Sequence, residues 1–171
     1  MEFIKLAKKR FSVRKYASKP VEREKLDLVI EAGRVAPTAK NLQPQRIYVV
    51  QSAEGLAKID ALTPCRFGAG IVFIFTNNTD EEWTNPLEAG VRAGVEDVSI
   101  VATHMMLEAE DLGLGTCWVN YFPNSELEKA FGLPKNERSV LLMPLGYPAA
   151  DAAPSANHTS YKKVDDFVKF I

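Results

Sequence analysis

The side chains best placed to do chemistry stand near the start of the chain, in Arg10-Phe11-Ser12-Val13-Arg14-Lys15-Tyr16. In an extended segment side chains alternate, so residues 10, 12 and 14 share one face while Phe11 and Val13 turn toward a core. Two guanidinium forks and a hydroxyl on one face suit a phosphate monoester, and each charge-assisted bond is worth about 1.5–3 kcal/mol. A solvated basic turn is the plainer reading of the same run. A second candidate is Ala36-Pro37-Thr38-Ala39-Lys40-Asn41-Leu42-Gln43-Pro44, a loop by its prolines. Its small residues let a flat ligand approach the backbone, and its side-chain amides can pair with a donor–acceptor edge. Cys65 and Cys117 lie far apart, without metal-ligand spacing, and Cys117 has no histidine beside it. Packing is the expected role of both Cys117 and His104.

These groups sit in an ordinary globular composition. The chain has 171 residues, 46% hydrophobic and 25% charged, with net charge −1, so no global positive field favours nucleic acid. The length fits one domain, residues 1–171, with 149–171 as an extended C-terminal arm. The longest apolar run is too short to span a bilayer, and the N-terminus lacks the apolar stretch of a signal peptide. A cytoplasmic setting with reduced thiols is expected.

Several elements must position the candidates. A short amphipathic helix over Glu2–Lys9 leads into the arginine segment. Leu26, Val29, Ile30 and Gly33 fall at helical spacing between Glu22 and Val35, and Pro37 closes that helix. Arg46–Gln51 and Gly70–Asn77 read as strands, the second buried on both faces; a helix begun by Ser52 and ending before Pro64 separates them. Thr79–Pro86, with Trp83, is a candidate flap. Leu87–Leu112 is the longest helical pattern, apolar over so much of its circumference that a large core or a dimer interface must cover it. Gly113–Tyr121 turns into a strand without the spacing of a dinucleotide-binding turn. Ser125-Glu126-Leu127-Glu128 predicts a capping box, and Ser139–Gly146 a strand whose Pro144 belongs at an edge or bulge. The arm ends in Tyr161, Val164, Phe167, Val168 and Phe170, which need burial and could dock on another subunit.

Four blocks, in order, carry a resemblance to the FMN-dependent nitroreductase family. They are Arg10-x-Ser12-x-Arg14-x-Tyr16, the 36–44 loop, the stretch from Asp97 to Leu112-Gly113-Leu114-Gly115-Thr116-Cys117-Trp118, and Leu145-Gly146-Tyr147-Pro148. The resemblance implies an α+β fold: a mostly antiparallel central sheet of about four to five strands flanked by helices. It also implies an obligate homodimer, FMN at the interface and exchanged C-terminal arms.

By position it assigns Arg10, Phe11 and Ser12 to the FMN phosphate region and Arg14 to the N1/C2=O end of the ring, where a cation stabilises reduced flavin. Pro37, Thr38, Ala39, Asn41 and Gln43 would approach the ring, usually from the neighbouring subunit. Val119, Asn120 and Tyr121 fall where the family offers an N–H to flavin N5. The chain departs from the family at Gln45, usually aromatic, and at Asn120 and Tyr121, usually small. His158, Lys162 and Lys163 are the candidates for a basic residue lent by the arm. The implied activity takes hydride from NADH or NADPH and reduces nitroaromatic, quinone or related small-molecule acceptors in ping-pong order. Alternatives are flavin storage or redox sensing, or another FMN reaction such as dehalogenation or flavin fragmentation. No catalytic side chain, metal, nucleic acid or membrane is called for.

Overall fold

The computed structural model describes residues 2–171. Four strands form one antiparallel sheet: β1 (Gln45–Val50), β2 (Ile71–Asn78), β3 (Gly115–Thr116) and β4 (Glu137–Gly146), in spatial order β1-β2-β4-β3. The helices are α1 (Phe3–Lys9), α2 (Arg23–Arg34), α3 (Ala53–Leu62), α4 (Gly94–Asp111), α5 (Asn124–Phe131) and α6 (Val164–Phe167).

The two-residue period of the central strands decides the layering. Ile71, Phe73 and Phe75 of β2, with Leu141, Met143 and Leu145 of β4, pack under α2 and α4. Val72, Ile74 and Leu142 point the other way, against Ile59 of α3 and Leu127 of α5. β2 is therefore buried along its whole length, as its uninterrupted apolar run predicts. On the first face α2 and α4 approach closely at Gly33, where a β-carbon would come within 2.7 Å of Met105 Sδ.

The expected elements exist, and several of their boundaries and contacts differ. The long helix starts at Gly94 rather than Leu87. Residues 84–92 instead form a turn closed by the Thr84–Arg92 bridge and by the Asn85 N–H donating to Val91 O at 2.9 Å, with Leu87 93% exposed. The candidate flap is anchored at its base: Arg46 pairs with both oxygens of Glu81, and the Ala93 N–H donates to Trp83 O. α4 is not covered all round. Val98, Val101, Ala102, Met105 and Ala109 are buried, whereas Val91 before it and Val95 on it are exposed, Val95 by 60%.

The predicted capping box does not form. Pro123 occupies the N-cap of α5, and Glu128 reaches across to accept from the Ser139 N–H and hydroxyl at 2.8 and 3.1 Å. Pro144 lies in an inner strand, paired with Val72. Leu142 exchanges both backbone bonds with Val119, so by alternation the nitrogen of Pro144 also faces the β3 side. There the ladder is interrupted between Thr116 and Val119, and no donor is missed. The strand expected over 113–121 thus shrinks to β3 plus that one bridge. The arm's apolar residues are not buried within the chain: Tyr161, Val164, Phe167 and Phe170 are exposed, Phe170 by 93%.

Candidate functional site

The arginine segment is extended and held along the β3 edge. Ser12 bridges Thr116 in parallel, and the Val13 N–H donates to Thr116 O at 2.9 Å. Val13 is fully buried, as expected; Phe11 is not in the core but half-buried, its ring meeting that of His158 edge-on with centroids 6.3 Å apart. Gly115 makes the close approach possible: a β-carbon there would lie 2.5 Å from Val13 Cγ2. Arg10, Ser12 and Arg14 all face the surroundings of Cys117. Burial pushes the Cys117 thiol up, and Arg14, the Ser12 hydroxyl bond and Arg10 act in the opposite direction. Burial likewise raises the Tyr16 phenol far above its usual range, with Cys117 adding to it and Arg14 opposing.

The charge distribution singles out this corner. Arg23, Arg34, Arg46, Arg66, Arg92 and Arg138 each sit within ion-pair distance of a carboxylate. Among the described residues, Arg10 and Arg14 are the two arginines without such a partner; Arg14 Nη1 reaches only the Ser12 carbonyl, at 3.3 Å. Two unneutralised guanidinium groups flanking a hydroxyl fit the phosphate and polar ring edge of a flavin mononucleotide.

Residues 119–121 continue from the same edge. Val119 pairs with Leu142, the Asn120 amide donates to Val140 O and accepts from Trp118 Nε1, and Thr63 donates to Tyr121 O at 2.6 Å. Among the described residues, the backbone N–H groups of Asn120 and Tyr121 find no acceptor, leaving donors for a ligand. Of the arm candidates, His158 touches the N-terminal segment, through Lys8 O and Phe11. Among the described residues, no hydrogen bond or ring contact joins Lys162 or Lys163 to that segment; the Lys163 N–H donates to Asp166 Oδ2.

The 37–43 loop stands elsewhere. Lys40, Asn41 and Gln43 have φ of 50°, 55° and 53°, a left-handed conformation that costs roughly 1–3 kcal/mol for each residue other than glycine. Thr38 holds the turn by accepting from Asn41 N through its carbonyl and from Gln43 N through its hydroxyl. Asp97, in the first turn of α4, accepts from Ala39 N at 2.8 Å. Pro37, Asn41 and Gln43 are exposed, Thr38 and Ala39 half-buried.

The two groups of residues therefore occupy opposite ends of α4. The loop is tied to Asp97 at its start, whereas Lys9 pairs with Glu110 near its end and β3 follows directly. The fourteen residue steps from Asp97 to Asp111 make about 21 Å of helix. One chain thus brings together Arg10, Ser12, Arg14 and residues 119–121, but not the 37–43 loop. Sequence reading noticed Asp97 only as the start of a block; its signal was a carboxylate on the apolar stripe of Val101 and Met105, four and eight positions earlier.

Comparisons with known proteins identify the family. The Nitroreductase family model matches residues 7–67 and 61–147. The chain belongs to the nitroreductase family. A nitroreductase family protein from Clostridium difficile 630 is 35% identical, with a TM-score of 0.92 over 99% of this chain and 98% of that one. An FMN-dependent nitroreductase from Clostridium difficile R20291 is 26% identical, with a TM-score of 0.78 and 98% of both chains covered. A Methanothermobacter thermautotrophicus protein whose name includes NAD(P)H nitroreductase is 28% identical over 159 residues, 87% of this chain and 78% of its own length. Among the described residues, no helix of this nitroreductase family member is long and apolar enough to cross a membrane.

Proposed function

We propose that this chain is an FMN-dependent oxidoreductase that works as a homodimer, oxidising NADH or NADPH and reducing nitroaromatic, quinone or related acceptors in ping-pong order. The observation that carries this reading is the separation of the two half-sites along α4. A two-fold partner with its α4 antiparallel sets the loop of one subunit against the arginine corner of the other, completing two equivalent sites. The uncovered side of α4, from Val95 round to Ile100, supplies an apolar surface for that contact. The exposed aromatic end of the arm finds cover on the same partner.

FMN, when bound, supplies the two-electron chemistry. Arg10, Phe11 and Ser12 would hold its phosphate, and Arg14 would supply a positive charge to the ring that favours the reduced cofactor. The N–H groups of Asn120 and Tyr121, next to Val119, would donate to the flavin ring. Pro37, Thr38, Ala39, Asn41 and Gln43 flank the ring from the partner. Nicotinamide and acceptor use the remaining open face in turn, so the protein contributes position and electrostatics rather than a proton-transferring side chain.

The test is a visible spectrum of the protein loaded with FMN, followed by anaerobic NADH or NADPH and then a quinone. Bleaching, then recovery, with parallel-line steady-state kinetics, is expected. Ile100→Glu should yield a monomer that releases its flavin. A colourless monomer that takes up no FMN refutes the proposal, while bound FMN that neither nicotinamide reduces supports storage or sensing instead.

A further inference from the structure

Asp97 is 2% exposed and has no lysine, arginine or histidine partner among the described residues. One oxygen accepts from Ala39 N at 2.8 Å; the other, Oδ2, is buried and has no hydrogen-bond partner among the described residues. The residue lies on the packed stripe of α4, where an apolar side chain would serve packing better than a half-satisfied carboxylate. What the carboxylate does there is hold a loop with three left-handed non-glycine residues against a rigid helix. The loop's other ties include its internal bonds, Arg46 Nη1 donating to Gln43 O at 3.4 Å and the Asn78 N–H donating to Pro44 O; among the described residues, the Asp97 bond is the hydrogen bond that fixes its middle to α4.

We propose that Asp97 is a positioning residue of the flavin site, pinning the 37–43 loop through Ala39 and setting a negative charge behind the loop's ring-facing backbone. This rests on the FMN reading above. The charge opposes that of Arg14: it disfavours the added electron density of reduced flavin, whereas the guanidinium favours it. The two oxygens have separable roles. Oδ1 carries the geometry, and the net charge carries the effect on potential.

Two variants separate them. Asp97→Asn keeps an oxygen for Ala39 N and removes the charge, so FMN affinity should be nearly unchanged while the midpoint potential of the bound flavin moves positive. Asp97→Ala removes the acceptor as well, and FMN affinity should fall about ten- to a hundredfold. The measurements are fluorescence titration with FMN, anaerobic redox titration with a reference dye, and melting of the flavin-free protein. A lowered melting temperature in both variants, with wild-type affinity and potential, would mean a purely structural aspartate and overturn the proposal. If Asp97→Ala does not fold, the potential of Asp97→Asn still decides. A wild-type protein that takes up no FMN would instead sink the underlying reading.

Discussion

Replacing Gly115 by alanine probes the joint between fold and site. Its added β-carbon would stand 2.5 Å from Val13 Cγ2, 2.9 Å from Val13 Cβ and 3.1 Å from Pro148 Cγ. Val13 is fully buried and β-branched, so it cannot rotate clear; the 10–14 segment must shift off β3 or the core must deform. Overpacking of this kind costs about 1–3 kcal/mol, and the stiffer unfolded chain returns about 0.4–1 kcal/mol, leaving roughly 1–2 kcal/mol of destabilisation. For a domain this size the melting temperature should fall by about 2–8 °C. Because Val13 lies between Ser12 and Arg14, FMN affinity should drop as well, read by flavin fluorescence. The double variant Gly115→Ala/Val13→Ala removes the closest methyl groups, so calorimetry should show a loss smaller than the sum of the single losses. Wild-type melting and affinity in Gly115→Ala, or strict additivity in the pair, would refute the tight contact as the device that seats the arginine segment.

Arg10→Ala should weaken FMN binding by about 1.5–3 kcal/mol, one to two decades in the dissociation constant, with little change in melting of the flavin-free protein. Arg14→Ala should lower the flavin potential in redox titration more than it weakens binding; an unchanged potential removes its assigned role. The Glu22 carboxyl is held down to about 2, first by the Tyr147 hydroxyl, then by its own backbone and by Lys19. A depressed carboxyl stabilises the fold above its unfolded value of 4.5 and loses that contribution as pH falls toward 2. Tyr147→Phe should therefore be less stable than wild type at neutral pH in urea denaturation. The gap should narrow between pH 4.5 and 2, and a gap constant over that window would exclude this linkage.

Local patterns determined much of this protein. Alternation made β2 a strand buried on both faces, and the Ser52 cap and Pro64 bracket α3, with Ser52 Oγ accepting from Gly55 N. The same alternation put Arg10, Ser12 and Arg14 on one edge with Val13 beneath them, because an extended backbone needs only its own geometry to sort side chains. What depends on a distant partner was not legible. Val91 and Val95 share the helical phase of the core yet stay outside it, since phase describes a face and only the sheet beneath α4 decides which face is covered. Glu128 has the spacing of a capping box and instead satisfies Ser139, eleven residues on, because a strand donor reaches it first. Asp97 stood in the sequence only as the start of a block until the 37–43 loop was laid against it. The division of the site between the two ends of α4 is likewise a tertiary fact: sequence order placed the two blocks about twenty-five residues apart, while a rigid helix rising about 1.5 Å per residue held them on opposite sides of the molecule.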